Sequence, residues 1–241
     1  SNALTACTSG GESVAVGFGA LDAMTTAFNN VGIGRNALGS TTTGGTNVAV
    51  GDGSLALNVS GTANVGIGAD ALSSNTASNN TAVGRSALQV NTSGAGNTAV
   101  GSFASDANTT GANTAAFGAA ALSQNTTADA GTAIGSNALT ANTTGANNTG
   151  VGFLALGANT TGQYNTAVGA NALDAVTTSS FNTGIGYSAG GAVTTGAGNT
   201  MLGYETGMAI TTQDGNTFLG QAAGNDATSA NNTMVGYLSG Q

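Results

Sequence analysis

Residues 165–181 read NTAVGANALDAVTTSSF, and residues 182–198 follow at once as NTGIGYSAGGAVTTGAG. Each block has 17 residues. Each opens Asn-Thr, reaches a β-branched residue and a glycine, passes an alanine three residues later, and then carries Thr-Thr. The phrase recurs along the chain, with the glycine as its marker. Markers fall at Gly17, Gly34, Gly51, Gly68, Gly84, Gly101, Gly118, Gly135, Gly152, Gly169, Gly186, Gly203, Gly220 and Gly236. The interval is 17 residues throughout, except for 16 at Gly68–Gly84 and Gly220–Gly236. A flexible linker has no reason to hold such a register, whereas a stack of structural repeats requires it.

Positions are counted from the marker. Position −1 is always large and apolar, from Val16 and Ile33 to Leu219 and Val235. Position −3 is valine or threonine in all repeats but one, where it is Ala115, and position −2 is mostly alanine or glycine. Position −4 is asparagine in 11 of 14 repeats. Alternation with period 2 predicts a short strand. Val/Thr exchange suits an inward or half-buried −3 column, so the expected arrangement puts −1 in a dry inward seam and the small −2 column outside. After the marker, +3 is alanine in 11 of 14 repeats, +4 is leucine in nine, and +8 is threonine in 12 of the 13 that reach it. The stretch around +8 and +9 reads as a second strand-like piece bounded by glycine turns.

A helical reading fails. Glycine costs about 1 kcal/mol against alanine in a helix interior, and Thr, Val and Asn are poor helix formers. One strand pair cannot bury its apolar side alone, but identical neighbours stacked on it can. The expected fold is all-β: a parallel β-solenoid of about 14 coils over residues 13–241, after a lead-in over residues 1–12. Stacked asparagines are expected to hydrogen-bond along their column. The marker glycine is expected at a corner that needs positive φ or close backbone approach. In the last four repeats +4 becomes Gly190, Gly207, Gly224 and Gly240, while +1 becomes Tyr187, Tyr204 and Tyr237 in three of them. Local repacking accounts for this exchange, and a tyrosine stripe for stacking on sugars is the alternative.

Composition narrows function. The 241 residues hold 2 Lys+Arg, 10 Asp+Glu and no histidine, for a formal charge of −8. Two arginines, Arg35 and Arg85, cannot track a phosphate backbone or an anionic membrane, so nucleic acid and membrane surfaces are not expected partners. No apolar run is long enough to span a bilayer. Ser1-Asn2-Ala3 looks like the remnant of a cleaved tag, and Cys7, as the only cysteine, forms no intrachain disulfide. Without histidine there is no Ser/His/Asp or Cys/His arrangement, no set of zinc ligands emerges, and no cofactor is expected. The acids are scattered. Asp52 and Asp70 are the nearest pair, one coil apart and one column offset, and read as solvated surface groups rather than the converging carboxylates of a glycosidase. No enzyme is expected.

The phrases NTAVGRSAL, GTAIGSNAL, NTGIGYSAG and NTFLGQAAG resemble the head repeats of YadA-like trimeric autotransporter adhesins, and also the repeat regions of bacteriophage tail fibres. The resemblance covers residues 13–241. It implies a left-handed parallel β-roll, three chains side by side, and attachment to a host surface glycan or protein receptor. The location it implies is extracellular, on a bacterial cell surface or a virion fibre. Adhesin head repeats are typically shorter than 17 residues, so a larger coil is expected here. Symmetric assembly also follows from the expected alanine-rich outer side, which suits burial against a partner; symmetry alone allows two copies, and the resemblance sets the number at three. The function expected is a non-enzymatic adhesive rod. An ice-binding solenoid using threonine ladders is one alternative, disfavoured because −3 is expected to point inward and one exposed threonine column is left where a flat face needs two. A glycan-cleaving tailspike is another, disfavoured by the scattered acids.

Overall fold

The computed structural model describes residues 3–240; Ser1 and Asn2 of the tag-like opening, and Gln241, lie outside the described residues. The chain forms two compact units. The first, up to Ala120 with Asn125–Thr127, contains β1 (Val14–Val16), β2 (Val31–Ile33), β3 (Val48–Val50), β4 (Val65–Ile67), β5 (Thr81–Val83), β6 (Thr98–Val100) and β7 (Ala115–Phe117). The second, Ala121–Gln124 with Ala128 onwards, contains β8 (Thr132–Ile134), β9 (Thr149–Val151), β10 (Thr166–Val168), β11 (Thr183–Ile185), β12 (Thr200–Leu202), β13 (Thr217–Leu219) and β14 (Thr233–Val235). Within each unit every strand pairs in parallel with the next, Val14 opposite Val31 and Thr166 opposite Thr183. The fold is a parallel β-solenoid with one coil per repeat. Residues before β1 join it: the Leu4 and Ala6 amides donate to Ala20 and Asp22 carbonyls, and Thr8, Ser9 and Gly10 donate to Thr25 O.

The second piece of each repeat is not a strand. The amides of Thr42, Thr43 and Gly44 converge on one carbonyl, that of Val59, at 3.0–3.3 Å. The Thr42 hydroxyl donates to the same oxygen at 3.3 Å. This bend recurs at Thr194, Thr195 and Gly196, which donate to Thr211 O. One carbonyl thus satisfies a whole turn of donors, where a strand would need one acceptor for every second residue. The 16-residue coil beginning at Gly68 loses its residue from this bend. Asn75 donates to Ala77 O two residues on, where Asn91 reaches Gly94 O three on, and the strand register is unchanged.

Tight corners need left-handed backbone. The marker glycines have φ between +126° and +143°, a region closed to residues with a Cβ. A Cβ on Gly84 would also lie 2.5 Å from Gly101 O. Both expected reasons for glycine hold at once. The leucines at +4 are themselves left-handed, with φ from +50° at Leu88 to +54° at Leu72. Such φ is unfavourable for a bulky residue; it persists here because each of these leucines is fully buried.

The strand faces are the reverse of those expected. Ala49, Ala82, Ala99, Ala133 and Ala167 at −2 are buried, whereas Val16, Ile33, Ile134, Val168 and Leu202 at −1 are exposed. The −3 column is outward with −1 and only part-shielded by its neighbours. The reason is the narrowness of the coil. The +4 leucine of one coil fills the space beneath the −2 residue of the next: a Cβ on Gly66 would meet Leu55 Cγ at 3.3 Å, and one on Gly150 would meet Leu139 Cγ at 3.3 Å. Only a small residue fits at −2, so the large β-branched ones point out. The alanine-rich side proposed for a partner is therefore the inside of the coil.

The same pairing explains the change near the C-terminus. Once +4 becomes glycine, −2 becomes Met201, Phe218 and Met234, with Met201 and Phe218 fully buried. A Cβ at Gly207 would sit 2.9 Å from Met201 Sδ and 3.2 Å from Phe218 Cδ2. Volume has moved across the lumen from +4 to −2, and the tyrosines take no part. One coil in the first unit lacks both solutions: Ser105 occupies +4, fully buried, and its hydroxyl has no partner. Its φ of +51° matches that of the leucines. Ser105→Leu is expected to stabilise the protein by ~1–3 kcal/mol, by removing an unsatisfied hydroxyl and burying apolar surface. A melting temperature no higher than wild type would count against it.

Two asparagine ladders line the lumen. At −4, a side-chain oxygen accepts the backbone amide of the next residue in the column, as from Asn47 N to Asn30 Oδ1 at 2.9 Å, and most Nδ2 groups donate to a bend carbonyl, as Asn47 to Gly61 O at 2.9 Å. The second ladder, at +7, runs Asn75–Asn91–Asn108 through side-chain bonds of 2.7 and 2.8 Å. Sequence reading overlooked it, although asparagine at +7 in seven consecutive repeats, Asn58 to Asn159, was visible just before the threonine pair. Asn159 Oδ1 is left without a donor where Val176 succeeds it.

Candidate functional surfaces

Only outward columns can meet a partner. On the strand face, −3 and −1 stand side by side, threonine or valine beside valine, isoleucine, leucine or Phe117. Around the bend, the +8 hydroxyls are tied to the next coil, as Thr143 to Thr160 O at 3.0 Å, and +9 is free to face water, as at Thr26, Thr144 and Thr178.

Aromatic rings gather in the second unit. Tyr187 and Tyr204 are both about half exposed and stack on each other at 5.4 Å between centroids, with planes 16° apart. Tyr237 is exposed but separated from them by Gln221. Stacking covers one face of each of these two rings. The Tyr204 hydroxyl is pushed above its usual range by its hydrogen bond to Glu205 and by that carboxylate's charge. A second stack, Tyr164 on Phe181 at 5.3 Å and 4°, lies at +12; two aromatic residues one repeat apart were its signal in the sequence.

Charge is sparse, and both arginines are already engaged. Arg35 holds Asp52 through two bonds, Nε to Oδ1 at 3.1 Å and a terminal nitrogen to Oδ2 at 2.7 Å. The bond lowers the Asp52 carboxyl below its usual range. Asp52 thus pairs with the preceding coil's arginine and not with Asp70. Arg85 lies over the Phe103 ring at 4.9 Å. Burial raises the carboxyls of Asp106 and Asp174, both at +5. The folded chain therefore binds these protons more tightly than the unfolded chain. Their penalty is full above the raised pKa and is relieved as pH falls towards the ordinary carboxylate value. Asp174→Asn is expected to raise stability at pH 7 and to leave it unchanged below that window. Chemical denaturation across pH checks this, and an equal effect at every pH would contradict it.

Among the described residues no cluster of three or more His, Cys, Asp or Glu side chains forms. No helix among them is long and apolar enough to cross a membrane. The chain matches no protein-family model, no curated protein and no solved structure.

Proposed function

We propose that the chain is a non-enzymatic rod segment that assembles as a homotrimer and mediates attachment outside the cell, on a bacterial surface or a virion fibre. The observation that carries this is the outward −1 column. Large apolar side chains repeat in register on a flat strand face, with Val16 56 % and Val168 37 % exposed. Contiguous apolar surface of this kind marks an interaction site, and in-register columns are self-complementary under rotational symmetry. The resemblance to adhesin heads and tail fibres supplies the number three and the role in attachment. Three copies around one axis multiply weak contacts to a surface receptor.

Sedimentation equilibrium at micromolar concentration tests the assembly. The chain weighs 22.7 kDa, so a trimer has about three times that mass. A soluble monomer would sink the proposal.

An ice-binding face is the second proposal, because the −3 threonines of β5, β6 and β8 to β14 point outward beside −1 rather than inward. It competes for the same surface. Thermal hysteresis from a monomer favours it, and a trimer without hysteresis removes it. A glycan-cleaving spike has no converging carboxylates in its favour.

A further inference from the structure

We propose that a recess on the outer side of the first three coils binds a neutral pyranose sugar. The cavity holds about 320 Å³ and is lined by Phe18, Asp22, Asn36, Gly39, Ser40 and Leu57. That size lies near the lower end of small-molecule sites, enough for one ring rather than a chain. It exists because Gly39 stands at +5, where the coils on either side carry Asp22 and Ala56.

Its chemistry is selective. Phe18 is 63 % exposed, and among the described residues no ring or guanidinium stacks on it. The neighbouring Arg35 is drawn to Asp52. The ring is therefore free of an aromatic or cationic partner, whereas Tyr187 and Tyr204 each have one face covered by the other. Asp22 accepts a hydrogen bond from the Thr5 hydroxyl and retains further acceptor capacity. Asn36 supplies a donor and an acceptor, and Ser40 a hydroxyl. A pyranose has one face of C–H groups to lie on an aromatic ring and a girdle of hydroxyls that both donate and accept. An apolar ligand would strip water from Asp22, Asn36 and Ser40 without replacing its hydrogen bonds. The only charged lining group is a carboxylate, and the whole chain carries −8, so uronates, sialic acid and phosphates are repelled.

The recess lies within one chain and needs no second copy, so its failure leaves the oligomeric result standing. Saturation-transfer NMR on the full chain tests it, with methyl glycosides of glucose, galactose, mannose and N-acetylglucosamine as probes and sialic acid as the charged control. At least one neutral glycoside is expected to bind in the millimolar range, and sialic acid is not. Phe18→Ala is expected to weaken binding about tenfold, on the order of one aromatic contact. Phe153→Ala, at the same +1 position but followed in the next coil by Asp174 at +5 where Phe18 is followed by Gly39, is expected to change nothing. Ser40→Val, which removes one hydroxyl from an unbonded position, gives a second reading if Phe18→Ala misfolds by circular dichroism. No transfer to any of the four glycosides overturns the proposal. So does full binding in both recess variants, or equal loss in Phe153→Ala.

Discussion

Ala167→Asp is expected to unfold the coil that carries it, while Val168→Asp one residue away leaves the chain folded. Ala167 is fully buried and points into the lumen. Its column neighbours show how little room there is: a Cβ at Gly184 already lies 2.8 Å from Leu173 Cγ. A carboxylate there is both too large and without a cation, since the chain's two arginines lie in other coils. Burying it costs several kcal/mol or more, and overpacking adds ~1–3 kcal/mol. Val168 faces outward, so a charge there costs a single chain well under 1 kcal/mol, as surface changes usually do. Its effect belongs to assembly: in a trimer closed by the −1 column, three carboxylates would converge and the particle would fall to monomer mass. Melting followed by circular dichroism reads the first effect and sedimentation the second. Equal melting temperatures for the two variants would contradict the assignment of faces.

Gly84→Ala is expected to be similarly severe for a different reason. Gly84 has φ of +134°, where an alanine is strained by about 1–3 kcal/mol. The added methyl would also meet Gly101 O and its carbonyl carbon at 2.5 and 2.6 Å. Both atoms are backbone, so relief requires moving a neighbouring coil whose own hydrogen bonds fix it. A combined loss of more than ~3 kcal/mol is expected. Gly39→Ala is the control: its φ is ordinary, and its Cβ would come no nearer than 3.2 Å to any atom. Comparable loss from both would show that the markers are not special.

The repeat, the strand at −3 to −1 and the coil boundaries were legible because period survives any error of phase. Phase was not legible. Size normally places valine and isoleucine inside and alanine outside, and that rule failed because Leu38 or Leu173 at +4 already fills the coil. The pairing of +4 with −2 was in fact visible in Met201 and Phe218, which appear where leucine gives way to glycine. The Thr-Thr bend was misread as a strand because threonine favours strands; its actual geometry depends on three amides sharing one carbonyl, which no residue preference announces. Of the surfaces, the tyrosine column was legible but the stack of Tyr187 on Tyr204 was not. The sugar-sized recess was also hidden, since it depends on a missing side chain at Gly39.

The bend has a genetic consequence. Each coil hands its donors to the coil ahead through the same kind of carbonyl, so coils that share one pairing of +4 with −2 present interchangeable joints. Removing residues 34–50 would place Ile33 directly before Gly51 and restore an intact phrase. Unequal crossing-over between such tandem stretches therefore yields folded products, provided the change is a whole coil or a single residue taken from the outer bend, as at Ala77. Length in this protein is a quantity that recombination can adjust in steps, with the joint itself acting as the reading frame of the fold.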